Sequence, residues 1–163
     1  MAFDGFLFLT DIEGESQDDA HANEIDILSW SWGMTQSGSM GKAGGGGVGK
    51  VNIQDLSVTK HVDKATPNLM KYCAKGDPIK EGKLIIRKAG GEALEYLVVE
   101  MADVIVTSVS TGGSDGDEDL IETISLNFAH VNAKYISQEA VGGGSGVIDF
   151  NWNVEKNADV GPS

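Results

Sequence analysis

Near its C-terminal end the chain alternates with period two: Ile148, Phe150, Trp152 and Val154 are interleaved with Asp149, Asn151, Asn153 and Glu155. Side chains of a strand point alternately to opposite faces, so this pattern predicts a strand with one buried and one wetted face. Burying the four apolar side chains is worth about 6–12 kcal/mol gross, at about 1.5–3 kcal/mol each, before chain entropy is subtracted. Short apolar runs rich in Val, Ile, Phe and Trp, separated by Gly and Asp clusters, recur over 4–11, 24–34, 50–60, 82–88, 94–111 and 120–135. Strands are thereby predicted along most of the chain.

In three of these runs the apolar phase slips by one residue. Ile25 and Ile27 give way to Leu28, Trp30 and Trp32; Val51 and Ile53 to Leu56 and Val58; Ile124, Leu126 and Phe128 to Val131, Ala133 and Tyr135. Such a slip is what a β-bulge produces, and bulges bend strands where a sheet curls or closes. The expectation is a single mainly β domain over 1–163, a curved antiparallel barrel or tightly curved sandwich. One short helix should flank it. Thr66 can cap, Pro67 suits the first helical position, Leu69, Met70 and Cys73 form an apolar stripe, and Gly76 stops the helix. Segments 37–49, 112–119 and 142–146 read as loops, the first long enough to be either an interaction element or a plain flexible linker, and the tail 156–163 as frayed.

Charge removes several function classes. Twelve basic against 25 acidic side chains leave a net charge of −13, which argues against nucleic-acid binding, since phosphate contacts need clustered Lys and Arg. It equally disfavours anionic membrane surfaces, and no stretch reaches membrane-spanning length, so neither nucleic acid nor membrane insertion is expected. Cys73 is the only cysteine, so an intrachain disulfide is excluded. The first eleven residues lack a basic region and their apolar run ends at Leu9, too short for a signal peptide. The chain therefore reads as made in the cytoplasm, with any export independent of a cleaved leader.

Motifs for chemistry fail on inspection. Gly44 to Lys50 matches seven positions of a phosphate-binding loop, but Val51 stands where Ser or Thr should hold magnesium, and the following run is strand-like where a helix is required. A dinucleotide reading of Gly44, Gly46 and Gly49 fails for the same reason. Asp115, Asp117 and Asp119 open like a calcium loop, yet Leu120 replaces the turn glycine and Leu126 the bidentate glutamate. His21, His61 and His130 lack paired-ligand spacing, and Ser145 lies in no nucleophile elbow because Val147 follows Gly146. No catalytic residue, metal or cofactor is expected.

Six segments in matching order nevertheless resemble one family. They are 24–33 (Glu-Ile-Asp-Ile-Leu-Ser-Trp-Ser-Trp-Gly), 55–60 (Asp-Leu-Ser-Val-Thr-Lys), 66–69 (Thr-Pro-Asn-Leu), 86–91 (Ile-Arg-Lys-Ala-Gly-Gly), 110–113 (Ser-Thr-Gly-Gly) and 126–128 (Leu-Asn-Phe). Each is modest alone, but together they span nearly the whole chain and are similar to the haemolysin-coregulated protein (Hcp) family of bacterial type VI secretion systems. The resemblance implies a β-barrel with one flanking helix, assembling as a hexameric ring whose copies stack into the inner tube of a contractile injection machine. It implies partners in sheath, spike and baseplate proteins, secretion through the same apparatus, and small effectors carried in the ring lumen. Six copies would carry six times −13, or −78, so ring assembly should respond to salt.

Mapped by that resemblance, the loop from 37 to 49, with Ser39, Met40, Gly44, Gly45, Gly46, Gly47 and Gly49, is the family's extended loop between neighbouring subunits and stacked rings. Glycine permits close backbone approach there. Alternation puts Trp30 and Trp32 on one face, as core anchors with Phe150 and Trp152, and Ser31 on the other, assigned to the lumen and its cargo. The phage-like tail tube of an extracellular injection device shares this physics. A β-barrel enzyme with a site assembled from dispersed Asp, Glu and His is the rival from another class.

Overall fold

All but two of the strands pair in one curved antiparallel sheet that turns back on itself. A computed structural model describes residues 3–38, 50–89, 94–137 and 146–163. Its elements are β1 (Phe3–Leu9), β2 (Ile25–Ile27), β3 (Ser29–Ser31), β4 (Met34–Thr35), β5 (Asn52–Ile53), β6 (Leu56–His61), α1 (Thr66–Lys75), β7 (Ile79–Lys88), β8 (Glu95–Gly112), β9 (Ile121–Ile136) and β10 (Val147–Asn153). The main sheet runs β2-β1-β7-β8-β9-β6-β3, with β10 on the lower half of β9; β4 and β5 form a separate two-stranded ladder. The mainly β, barrel-like architecture with one helix is as the sequence predicts.

Closure comes from one short stretch of chain. The strands at the two ends of the order, β2 and β3, are separated only by Leu28, whose amide donates to the Thr59 carbonyl at 2.7 Å. The phase slip after Ile27 is thus a corner at which the chain crosses from β1 to β6, not a bulge inside one strand. The slip near Gln54 is likewise a break between β5 and β6. Register shifts fall instead on β8, where Thr107 is the extra residue between Val106 and Ser108, and between Ile86 and Arg87 of β7. The phase change in β9, from Phe128 to Val131, lies opposite Asp103, whose φ is 53°.

Inside sits one core of Leu, Ile and Val, including Leu7, Leu56, Val58, Leu84, Val104, Ile124 and Leu126. Helix α1 contributes Leu69 to it and ends at Gly76, whose φ of 67° suits glycine. Three local expectations need correction. Thr66 is not the cap: it follows the N-cap residue Ala65, its hydroxyl donates to Glu122, and no side-chain hydrogen bond caps this end among the described residues. Met70 points outward, 44% exposed. Ile148 is 70% exposed, because β10 has β9 on one side only and this residue pairs with Tyr135 at the sheet's end. Phe150 and Trp152, whose rings stack at 6.1 Å, and also Trp30 and Trp32 are half-buried at the rim of the core. The tail is tied back, with Asn151 donating to the Val160 carbonyl and Asn153 to the Gly161 carbonyl.

Candidate functional site

A regular polar surface lies on the outside of β3, β6, β9 and the upper part of β8. Each of these strands alternates apolar and hydroxyl residues, so cross-strand pairing lines up like with like. One row runs Ser29, Thr59, Thr123, Ser110; the next runs Ser31, Ser57, Ser125, Ser108. Between them the inward row is Trp30, Val58, Ile124 and Val109. Hydroxyls bond along the rows, Thr59 to Thr123 at 3.4 Å and Ser108 to Ser125. The charge beside them, Asp55, is already engaged by Thr107 at 2.7 Å and Asn127 at 2.8 Å.

Among the described residues neither outer strand of this four-strand patch is paired along its free edge. There β3 pairs with β6 alone. On β8, pairing with β7 ends at Val104, so residues 105–112 have β9 on one side and no strand on the other among the described residues.

Behind the patch lies a buried ion pair where the strand pattern would put an apolar residue. Lys60 and Glu122 face each other across β6 and β9, and both side chains are fully buried. Lys60 also donates to Asp63 at 2.9 Å, while Glu122 accepts from Thr66 at 2.7 Å and Thr111 at 3.0 Å. The network ties helix α1 to the strands carrying the hydroxyl rows.

A second polar cluster lies on the outer face of β1, β7 and β8. Residues 10–24 fold across that face. His21 stacks on Phe6 with ring centroids 4.5 Å apart, and its two ring nitrogens meet Glu24 at 3.1 Å and Glu95 at 2.5 Å. Burial works against protonating this imidazole, but the hydrogen bonds and charges of Glu95 and Glu24 outweigh it and raise its pKa. Arg87 lies over Phe6 and pairs with Asp4 and Asp18; the Arg87 hydrogen bond holds the Asp18 carboxyl down at about 2.

Of the predicted site residues, Ser31 is exposed on the hydroxyl face, in register with Ser57, and Trp32 donates to the Gln54 carbonyl at 2.9 Å. Ser39, Met40, Gly44, Gly45, Gly46, Gly47 and Gly49 lie outside the described residues. The three histidines keep separate company: His130 contacts Asn151 at 2.8 Å and His61 is exposed at the end of β6. Sequence reasoning picked out Ser31 alone from its rows. The signal for the other members was present, a Ser or Thr at every second position of 57–59, 108–110 and 123–125. Lys60 with Glu122 was legible only once the register was known.

Comparison with known proteins agrees with this architecture. The family model described as type VI secretion system effector, Hcp, matches residues 6–135. The chain is 54% identical over 162 residues to protein Hcp1 of Pseudomonas aeruginosa, covering 98% of this chain and 100% of that one. Hcp1 of Salmonella typhimurium superposes with a TM-score of 0.79 at 37% identity, covering 98% and 100% of the two chains. A type VI secretion system effector from Yersinia pestis does so at 0.76 and 35%, covering 93% and 100%. On the strength of these matches and of the antiparallel barrel that carries them, the chain belongs to the Hcp family of type VI secretion proteins.

Proposed function

We propose that this chain is a structural ring subunit of a type VI inner tube, with the hydroxyl face lining the ring's lumen and carrying small effectors. The observation that bears most weight is the four-strand patch with two open edges. Antiparallel order makes β3 run opposite to β8, so a copy rotated about a ring axis brings its β3 edge antiparallel to its neighbour's upper β8 edge. The sheet then continues without a break in alternation. Such a head-to-tail contact closes into a ring when the rotation divides a full turn, with six copies as the family resemblance implies. Strands contribute edges and hydroxyls, not a reaction centre, which fits a non-catalytic role.

The hydroxyl rows supply the lumen with many weak, uncharged donors and acceptors. Ser31, at the β3 end of one row, is the cargo contact, and the loop with Ser39, Met40, Gly44, Gly45, Gly46, Gly47 and Gly49 is assigned to contacts between subunits and between stacked rings. Sheath, spike and baseplate proteins are the outer partners, and the chain leaves the cell through the apparatus it helps to build. Negative-stain imaging with light scattering tests the ring: hollow particles of uniform subunit number are expected, and a strict monomer at high concentration overturns the assignment. Ser31→Arg tests the face. Rings should form while losing a co-expressed lumen cargo, and normal retention by intact mutant rings removes Ser31 from the lumen.

A further inference from the structure

We propose that His21 is a latch that fastens residues 13–24 over an apolar patch on the outer face of β1, β7 and β8, and that loss of its proton as pH rises releases them. The patch is Phe6, Ile85 and Val98, directly paired across three strands and separate from the main core. All three are buried, and His21 and Arg87 lie against Phe6. Without the loop, three contiguous apolar side chains would face water beside the already exposed Phe8.

The geometry specifies the charge state. A neutral imidazole has one N–H, and its other nitrogen is an acceptor. Here both nitrogens face carboxylate oxygens, Glu24 from the same loop at 3.1 Å and Glu95 from β8 at 2.5 Å. Only the imidazolium donates to both. After deprotonation one carboxylate faces a nitrogen lone pair, and a charge-assisted hydrogen bond becomes a repulsion. The other charged groups around the ring do not replace it. Asp18, on the loop itself, is held by Arg87 of β7, and Lys134 of β9 is paired with Glu100 of β8 at 2.8 Å. Lys83 of β7 borders the same groove without contacting either carboxylate among the described residues.

The sign follows from the raised pKa of His21. Its contribution is complete below the imidazole's ordinary value and is lost as pH rises through the higher folded value. The latch is closed below the imidazole's ordinary value and opens as pH rises through the higher folded one.

Amide hydrogen exchange of the full chain at pH 6, 7.5 and 9, corrected for intrinsic rates, tests this. The reporters are the amides of Gly14, Ser16 and Asn23, which bond within the loop to the carbonyls of Asn23, Glu24 and Ser16. Their protection should fall about tenfold or more between pH 6 and 9, the scale of one charged hydrogen bond, while β7 amides stay unchanged and anilinonaphthalene sulfonate binding rises. In His21→Gln the loop protection should be low and flat with pH. Glu95→Gln, which leaves the imidazole in place, should flatten the profile in the same way. Wild-type loop protection that does not change with pH, or an equal fall in His21→Gln, overturns the latch.

Discussion

Replacing Lys60 by methionine keeps most of the side chain's length and removes its charge. Glu122 would then stay fully buried without its cation, keeping only the hydroxyls of Thr66 and Thr111 as donors. Breaking a buried pair by removing one partner costs about 3–5 kcal/mol. The two retained hydroxyl bonds place Lys60→Met at the lower end, about 3 kcal/mol. At about 2–4 °C per kcal/mol for a chain of this size, the unfolding midpoint should fall by about 6–12 °C. Lys60→Met/Glu122→Leu removes both charges and should recover most of that loss, since apolar replacement of a buried pair is often neutral. The single variants therefore should not add, by about 2 kcal/mol or more. Urea and thermal unfolding measure this at one protomer concentration and at pH 7, because association shifts apparent stability. A Lys60→Met protein within about 1 kcal/mol of wild type, or a double variant as unstable as the sum of the singles, would refute the claim that this pair holds helix α1 to the barrel.

Gly14→Ala should destabilise by about 1–3 kcal/mol in thermal unfolding, because its Cβ would lie 2.5 Å from the Glu24 carbonyl oxygen and 2.6 Å from the Ile25 Cα, backbone that cannot step aside. The Asp18–Arg87 pair stabilises above the ordinary carboxyl range, and that contribution is lost as pH falls towards about 2; acid unfolding of Asp18→Asn should lack this component. Ring formation, with like charges of −13 per subunit, should strengthen with salt from low ionic strength upward, followed by sedimentation. Cargo retention by the neutral hydroxyl face should change little over the same range.

Much of this fold is legible in local pattern. Period-two alternation locates β6, β9 and β10, and the Pro67 to Gly76 stretch locates helix α1, because each depends on neighbours in sequence. The misreadings share one cause, pairing at long range. Leu28 continues an apolar run, so only the knowledge that β2 pairs with β1 and β3 with β6 turns the slip into a corner. Thr66 has the composition of a cap, but Glu122, 56 residues away, claims its hydroxyl. Ile148 has the right parity for the core and lies where the sheet ends. For the candidate site, Ser31 is readable as the polar residue between two tryptophans, whereas the rows of which it is one member exist only across four strands.

The treatment of the open edges supports the same reading from a different direction. Exposed strands invite pairing with other chains, and proteins that must stay monomeric guard them with lysine, proline or covering elements. Residues 105–112 of β8 and 29–31 of β3 contain neither lysine nor proline, only Ile, Val, Ser, Thr, Gly and Trp. The bulge at Thr107 is one guarding device on the β8 edge, and helix α1 packs against the same strand. Charge is placed elsewhere: the lysines of this region include Lys60, turned inward onto Glu122, and the acidic run at Asp115, Asp117, Glu118 and Asp119 sits in the turn beyond the strands. A monomeric barrel would gain from a single lysine at Ser110 or Ser29. A chain whose edges meet identical neighbours would be harmed by it, because six like charges would then enter one continuous sheet.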